Sequence, residues 1–285
     1  MKFTVCPNDC NADRDNFRGV CRVKNMLKIA KYAPFFYEEP PISGKNGSGA
    51  IFFCGCSLLC RFCQNFELSR NLRGKEIENK DFQEIINDLL MLKVHNINLV
   101  NPSHYLDLLY RFFKDNKPEV PIVYNTHSYE KLQALKKAES FVDIYLADLK
   151  YLSPQRSLRY CGKGNYFEYA SQAILEMVKQ KPLLFNDSIM TQGVIVRHLI
   201  LPQNTDESIK LLDWYSDNIG DGAYVSIMTQ YTPFGDISDF PELNRKLTKR
   251  EIERVYDKVY SLGLKNVFIQ ERESADATFI PEWDY

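Results

Sequence analysis

The chain has 285 residues, of which 45% are hydrophobic and 26% are charged, and its formal net charge is −1. This composition is typical of a globular protein, and no stretch approaches the roughly 20 apolar residues that a membrane span needs. A net charge near zero gives no general attraction to phosphate backbones, so the sequence predicts neither a membrane nor a nucleic acid as partner.

Seven of the eight cysteines lie in the first 63 residues, and the chain starts without an apolar signal core. We therefore expect a cytoplasmic protein, in which clustered cysteines bind metal more often than they form disulfides. Cys6, Cys10 and Cys21 come first, and Cys54 is the candidate that would complete a four-cysteine site with them. Such a site would hold either structural zinc or a second iron–sulfur cluster.

A second group of cysteines follows the apolar run 50–53, which predicts a buried strand. This group consists of Cys56, Cys60 and Cys63. Spacings of four and three residues suit a loop that holds three corners of a 4Fe-4S cluster and leaves the fourth iron open to a substrate or cofactor. Zinc is the alternative, but zinc sites typically combine two short ligand pairs that lie far apart in the sequence. The loop therefore favours a cluster that takes part in chemistry.

The rest of the chain alternates between short apolar runs and stretches with helical periodicity. The predicted helices are 80–93, 104–114, 130–137, 167–180, 206–215 and 248–262, and the predicted strands are 97–100, 122–124, 142–146, 194–199, 224–228 and 266–269. This alternation predicts parallel strands with right-handed crossovers, in about six units. We predict an α/β fold, a partial (βα)6 TIM-like barrel with a C-terminal strand and tail over residues 49–285, preceded by a cysteine-containing extension over residues 1–48.

Polar residues follow the predicted strands, and in parallel α/β folds the functional groups collect at the carboxyl ends of the strands. The candidates are Asn101, Ser103, Asn125, Thr126, Asp148, Lys150, Arg197 and Gln230. Arg197 can clamp a carboxylate with two hydrogen bonds, or it can be a buried arginine satisfied by carbonyls. Asp148 and Lys150 project to the same side of an extended segment, and a solvated ion pair is the alternative interpretation.

The cysteine spacing over residues 56–63, with an aromatic residue before the last cysteine, resembles the signature of the radical S-adenosylmethionine (SAM) enzymes. Other segments resemble the pyruvate formate-lyase activating enzyme-like branch of that superfamily. They are residues 38–44, 47–49, 63–65, 98–100, 124–126, 197–202 and 268–271. The resemblance covers nearly the whole chain and implies a (βα)6 partial barrel.

The resemblance also implies roles for the polar residues at the strand ends. Asn125, Thr126, Asp148 and Lys150 match positions that meet SAM or a nearby cation, and Lys150 would face the methionine carboxylate. Most relatives carry a Gly-Gly-Glu segment against the SAM amino group where this chain has residues 101–104. Here the carbonyls of Asn101 and Ser103 are the candidates for that contact.

The reaction implied by the resemblance is reductive cleavage of SAM to a 5′-deoxyadenosyl radical, followed by hydrogen abstraction from a protein or peptide. Activation of a glycyl radical enzyme is one form of it, with flavodoxin or ferredoxin as the expected electron donor. Cys161, in the predicted loop after the fourth strand, is a candidate hydrogen-atom donor, and a small buried apolar residue is the alternative. The alternative functions are modification of a small metabolite or nucleoside, and a non-catalytic zinc-binding protein.

Overall fold

Six parallel strands with helices between them form the centre of the computed structural model, which describes residues 5–15 and 19–269. The described strands are β1 (Leu27–Phe35), β2 (Ser48–Phe53), β3 (Lys75–Ile77), β4 (Ile97–Val100), β5 (Ile122–Thr126), β6 (Ile144–Asp148), β7 (Leu184–Asn186), β8 (Ile189–Leu199), β9 (Tyr224–Met228) and β10 (Val267–Ile269). The described helices are α1 (Pro40–Ser43), α2 (Phe66–Ser69), α3 (Asn79–Met91), α4 (Leu106–Asn116), α5 (Leu132–Ala138), α6 (Pro154–Cys161), α7 (Tyr166–Gln180), α8 (Thr205–Asn218) and α9 (Lys249–Leu262). Residues 270 and 271 of the last matching segment, and the tail after them, lie outside the described residues.

The sheet confirms the predicted α/β class and the six βα units. Strands β2, β4, β5, β6, β8 and β9 are neighbours in that order and pair in parallel, and β10 pairs with β9 in the same direction. Among the described strands, β10 forms one end of the sheet and β3 forms the other, so the sheet does not close on itself. The architecture is the predicted partial barrel.

Two of the parallel strands extend further at their carboxyl ends than the apolar runs that predicted them. Strand β5 continues to Thr126 and β6 continues to Asp148, so Asn125, Thr126 and Asp148 lie within strands and not after them. Their backbones still pair with neighbours, Asn125 with β6 and Asp148 with β8. The prediction ended each strand where the apolar residues end, whereas the backbone pairing continues into the polar residues.

The described part of the N-terminal extension is continuous with the barrel sheet, because β1 pairs antiparallel with β2. The chain then enters the interior at α1, where Ile42 is fully buried among residues that include Val123 and Leu146. The Ser48 hydroxyl donates a hydrogen bond of 2.6 Å to the Asn96 side-chain oxygen, and the Asn96 side-chain nitrogen donates one of 2.8 Å to the Ile42 carbonyl. The extension therefore contributes directly to the interior of the partial barrel.

Helix α6 is an element that the sequence analysis did not predict. Its first turn is capped by the Ser153 hydroxyl, Pro154 occupies the first helical position, and Gly162 ends it with a φ of 71°. Cys161 is the last residue of this helix, which corrects the prediction of a loop position. None of the helices in the described part of the chain is long and apolar enough to cross a membrane.

Helix α3 packs against strand β2 and helix α4 through Phe82, which is fully buried. The Phe82 ring centroid lies 6.2 Å from that of Phe53, 4.8 Å from that of Phe112 and 5.9 Å from that of Phe113. Phe53 is the last residue of β2. This aromatic cluster therefore fixes the strand end from which the cysteine loop departs.

Replacing Phe82 by alanine removes a buried ring from this cluster, so Phe82→Ala should lower the free energy of unfolding by about 3–5 kcal/mol. A urea titration followed by circular dichroism measures the change. Met91→Ala on the same helix is the control, because Met91 is 73% exposed and its loss should change the stability by less than about 0.5 kcal/mol. Equal destabilisation by the two substitutions would show that Phe82 does not anchor the helix.

Candidate cluster and cofactor site

A cavity of about 360 Å³ lies at the carboxyl ends of the parallel strands and brings most of the predicted site residues together. Its lining includes the cysteines Cys56, Cys60 and Cys63 and the polar residues Asn101, Asn125, Thr126, Asp148, Lys150, Arg197 and Gln230. Ser103 and Cys161 are not among the residues that line it. These residues are far apart in the sequence, and the parallel sheet collects them at one edge.

The cysteine loop is held in place by its backbone at Arg61. The Arg61 N–H donates a hydrogen bond of 2.9 Å to the Tyr160 carbonyl at the end of α6, and the Arg61 carbonyl accepts one of 2.9 Å from the Asp236 N–H. An ion pair of 2.8 Å between the Arg61 and Asp236 side chains supports the second contact. A Cβ atom on Gly235, whose φ is +85°, would fall on the Arg61 carbonyl oxygen. The loop is therefore fixed between two distant parts of the chain.

Cys56 and Cys60 are buried, Cys63 is half-buried, and the three loop thiols interact with one another. Burial, together with the neighbouring Cys63 and Cys60, raises the pKa of Cys56 to about 12. The pKa of Cys63 is also raised, by burial and by Cys60. A hydrogen bond with Cys161 and burial raise the pKa of the Cys60 thiol. The thiols are thus protonated when free, and metal binding must displace their protons.

The arrangement of the cysteines fits the ligation of a cluster. In the part of the chain that the structure describes, no three or more His, Cys, Asp or Glu side chains are grouped to hold one metal ion. Thiolates that ligate a 4Fe-4S cluster each bind a different iron, so they surround a cube and need not converge on a point. The donor set of three mutually interacting cysteines on one cavity wall therefore fits the cluster that the sequence predicts.

Asp148, Lys150 and Arg197 form a buried network on the cavity wall. The Asp148 carboxylate accepts a hydrogen bond of 2.7 Å from the Lys150 ammonium and one of 2.9 Å from Arg197 Nε. The side chains of Asp148, Lys150 and Arg197 are only 13%, 21% and 14% exposed. The side chains of Asp148 and Lys150 are thus mostly shielded from solvent, whereas the alternative interpretation was a solvated ion pair.

Arg197 is fully engaged by neighbours on three different segments. Besides Asp148, it donates hydrogen bonds to the Asn125 side-chain oxygen at 2.6 Å and to the Glu38 carboxylate at 3.2 Å. Burial opposes the ionisation of Asp148, but Arg197 and Lys150 outweigh it, so the pKa of Asp148 lies below its ordinary value. Burial likewise opposes the charge on Lys150, yet Asp148 and Cys60 keep the pKa of Lys150 raised. The Asp148 carboxylate and its two cationic partners, Lys150 and Arg197, are therefore all charged.

Glu38 is a cavity residue that the sequence analysis did not identify as part of the site. It lies in the segment 38–44, which contributed to the family resemblance without indicating a role for this residue. The Glu38 carboxylate also accepts hydrogen bonds from the side chains of Asn98 at 3.0 Å and Asn125 at 3.2 Å. No local pattern reveals such contacts, because they join residues that are 60 or more positions apart.

Ser103 and Thr126 are fixed by a buried glutamate, Glu130. The Ser103 hydroxyl donates to the Glu130 carboxylate at 2.8 Å, the Thr126 hydroxyl donates to the same oxygen, and the two hydroxyls lie 3.1 Å apart. Asn101 does line the cavity, where its side chain donates to the Gly55 carbonyl at 2.6 Å. The backbone of Asn101 has a φ of 58°, which turns the chain sharply after β4. Contact of Asn101 and Ser103 with the SAM amino group stays a prediction.

Cys161 lies next to Cys60 and away from the cavity. Its thiol donates a hydrogen bond of 3.0 Å to the Ser157 carbonyl and forms another hydrogen bond with the Cys60 thiol. It is 6% exposed and belongs to the hydrophobic core cluster. Its role as a hydrogen-atom donor stays a prediction.

The N-terminal cysteines lie beside the cysteine loop. Burial raises the pKa of Cys6, and Cys21 and Cys10 raise it further, so these three thiols are close neighbours. The Asn8 side chain ties them to the loop with a hydrogen bond of 2.7 Å to the Ser57 carbonyl. The Cys54 thiol instead contacts the Arg73 carbonyl at 3.1 Å. A metal site formed by all four cysteines stays a prediction.

Comparisons with known proteins support the cluster assignment. The family model described as a 4Fe-4S single cluster domain matches residues 42–169, which include the three loop cysteines. The uncharacterized protein MJ0674 of Methanocaldococcus jannaschii is 29% identical over 270 residues, which cover 91% of this chain and 75% of that protein. The name of that relative gives no activity.

A solved structure shares the fold of this chain. Streptococcus suis SuiB, in complex with its precursor peptide SuiA, matches with a TM-score of 0.51 and 14% identity over 76% of this chain and 46% of SuiB. This chain therefore spans less than half of the SuiB chain. A domain of the pyruvate-formate lyase-activating enzyme from Bacteroides vulgatus matches with a TM-score of 0.41 and 11% identity over 60% of this chain and 91% of that domain. At 14% identity, the likeness to SuiB shows a shared fold and no shared activity.

Substituting Gly235 tests whether the loop contact at Arg61 matters for the cluster. Gly235→Ala should lower the iron content after anaerobic reconstitution to about half or less, because the new methyl group displaces the Arg61 carbonyl. Gly263→Ala is the matched control, since Gly263 has a φ of +64° but no atom lies within 4 Å of the place where its new methyl group would sit. Both substitutions place a side chain on a residue with positive φ, which causes the same type of backbone strain. Iron contents that fall equally in both variants would contradict the role of the Arg61 contact.

Proposed function

We propose that this chain is a radical SAM enzyme, which cleaves SAM reductively and abstracts a hydrogen atom from a protein or peptide. Its cofactors would be a 4Fe-4S cluster, which the family match supports, and SAM, which the sequence resemblance implies. The observation that carries the proposal is the single cavity shared by Cys56, Cys60, Cys63 and the charged residues of β6 and β8. The family match and the fold favour an enzyme over a non-catalytic zinc-binding protein.

Residues of this chain would bind and orient the cofactors. Cys56, Cys60 and Cys63 would hold the cluster, and together with SAM it supplies a single electron and a carbon radical. Lys150 would bind the carboxylate of SAM through a charge-assisted hydrogen bond. Asp148 restricts the Lys150 side chain to the cavity wall, with a contact of 2.7 Å.

Aromatic side chains around the cysteine loop would exclude water from the reaction. Phe62 is 7% exposed, and its ring centroid lies 6.2 Å from that of Tyr160 and 5.9 Å from that of Tyr231 in edge-to-face contacts. A dry site strengthens the electrostatic interactions within it and protects a radical from side reactions. These rings would therefore shield the cluster from water.

A protein or peptide substrate is supported by SuiB, whose solved structure contains a precursor peptide. Activation of a glycyl radical enzyme is the narrower proposal, which the sequence resemblance favours. The electron donor would be flavodoxin or ferredoxin, again by that resemblance. Modification of a small metabolite or nucleoside is the alternative that the experiments must separate.

Loss of a cluster ligand should abolish SAM cleavage. Cys60→Ala, reconstituted anaerobically and reduced with dithionite, should form 5′-deoxyadenosine at least about 100-fold more slowly than the parental protein, because the cluster loses one of three protein ligands. Chromatography of the nucleoside products measures the rate. Cys10→Ala serves for comparison and should lower the solubility or total metal content while the rate per intact cluster persists. A parental rate in Cys60→Ala would contradict the proposed site.

Isotope transfer should distinguish the two substrate classes. Extract from cells grown in heavy water is separated into macromolecules and small molecules, and each fraction is added to the reduced enzyme with SAM. Hydrogen abstraction from a protein or peptide should place deuterium in 5′-deoxyadenosine only with the macromolecular fraction. Deuterium that arrives only from the small molecules would overturn the peptide proposal in favour of a metabolite.

A further inference from the structure

We infer that Glu38 is a positioning residue for the cofactor site: its carboxylate fixes Arg197 and, through Arg197 and Asp148, sets the position and charge of Lys150. This role rests on the proposed function and adds to it a residue from the N-terminal extension. Glu38 would not touch the reacting atoms. It would act on SAM through its neighbours.

The contacts of Glu38 join three strands of the partial barrel. One carboxylate oxygen accepts hydrogen bonds from Asn98 of β4 at 3.0 Å and Asn125 of β5 at 3.2 Å, and the other accepts one from Arg197 of β8 at 3.2 Å. The Glu38 side chain is 10% exposed. The segment that carries Glu38 continues into helix α1, where Pro41, Ile42 and Ser43 are buried, so the segment is anchored in the interior.

From Glu38 the charges alternate along a line that leads to the cysteine loop. Glu38 contacts Arg197 at 3.2 Å, Arg197 contacts Asp148 at 2.9 Å, and Asp148 contacts Lys150 at 2.7 Å. Lys150 in turn interacts electrostatically with Cys60. Each member neutralises the next, so the four charges sum to zero.

Removing the charge of Glu38 would disturb both the position and the charge of this line. Of its two hydrogen-bonded carboxylate partners, Arg197 would then keep Asp148, and this weakens the attraction between Asp148 and Lys150. The line would also become net positive. SAM carries a sulfonium and an ammonium group against one carboxylate, so a more positive wall should bind it less tightly.

The charge on Glu38 changes near neutral pH. Burial, together with the nearby Glu39 and Asp148, raises the pKa of Glu38 to about 7 against the opposing effect of Arg197. The pKa of Asp148 is lowered and those of Lys150 and Arg197 are raised, so these three neighbours keep their charges near pH 7. Protonation of Glu38 below about pH 7 should therefore weaken SAM binding in the parental protein.

Glu38→Gln tests this inference, because glutamine keeps the shape of the side chain and removes its charge. At about pH 8 the dissociation constant of SAM, measured on the reconstituted holoenzyme by equilibrium dialysis, should rise roughly tenfold. At about pH 6, one unit below the pKa of Glu38, the two proteins should differ less than about threefold. The variant should therefore lack most of the pH dependence of the parental protein.

Two further variants separate positioning from folding. Glu84→Gln makes the same chemical change on α3, where the Glu84 side chain is 63% exposed, and should leave the affinity for SAM unchanged at both pH values. Glu38→Asp keeps the charge and should therefore keep the pH dependence of SAM binding. If residue 38 had only a structural role, its charge would not be needed for this pH dependence. Iron content and thermal midpoint are measured for every variant.

Equal SAM affinity of Glu38→Gln and the parental protein at both pH values would overturn the inference, and so would an equal loss at both. If Glu38→Gln does not take up iron, Glu38→Asp decides: a retained pH dependence supports the inference, and a lost one overturns it. A parental holoenzyme that neither binds nor cleaves SAM would instead overturn the proposed function. The two failures are thus distinguishable.

Discussion

The backbone hydrogen bonds of Arg61 hold the cysteine loop, and the rest of the site depends on them. Through these bonds the end of α6 and the segment around Asp236 fix a loop whose own sequence has little regular structure. Strand β2 fixes the start of the loop, and the aromatic cluster around Phe82 fixes β2. Three thiols can surround a cluster only if the loop has one conformation, so the packing of distant elements becomes a condition for the chemistry.

The second constraint is that buried charges need partners. Asp148, Lys150, Arg197 and Glu38 lie within the same cavity wall and satisfy one another with contacts between 2.7 and 3.2 Å. An unpaired charge in such a place would shift its pKa and become neutral. The network therefore keeps an ammonium group charged beside the cysteine loop, where the carboxylate of an amino-acid cofactor would bind. The N-terminal extension takes part in this, because it supplies Glu38.

Much of the fold was predictable because strands and helices of a parallel α/β protein leave local patterns. The bounds of β4 and β9 agree with the predicted ones, and the cysteine spacing located the cavity wall. Strand β1 was missed because Pro34 interrupts a short alternation, and its pairing with β2 is a long-range contact. Helix α6 does have local signals in the sequence, namely Ser153, Pro154 and Gly162 around its ends, and these could have predicted it. Glu38 was beyond prediction, since only the folded sheet brings it to Arg197.

The proposed chemistry depends on one iron atom of the cluster that has no protein ligand. Mössbauer spectroscopy of protein reconstituted anaerobically with iron-57, before and after addition of SAM, tests this most directly. We predict the spectrum of a 4Fe-4S cluster in which one of the four irons changes its isomer shift when SAM binds. A protein that retains zinc in place of iron, or a cluster whose four irons all stay unchanged with SAM, would contradict the account.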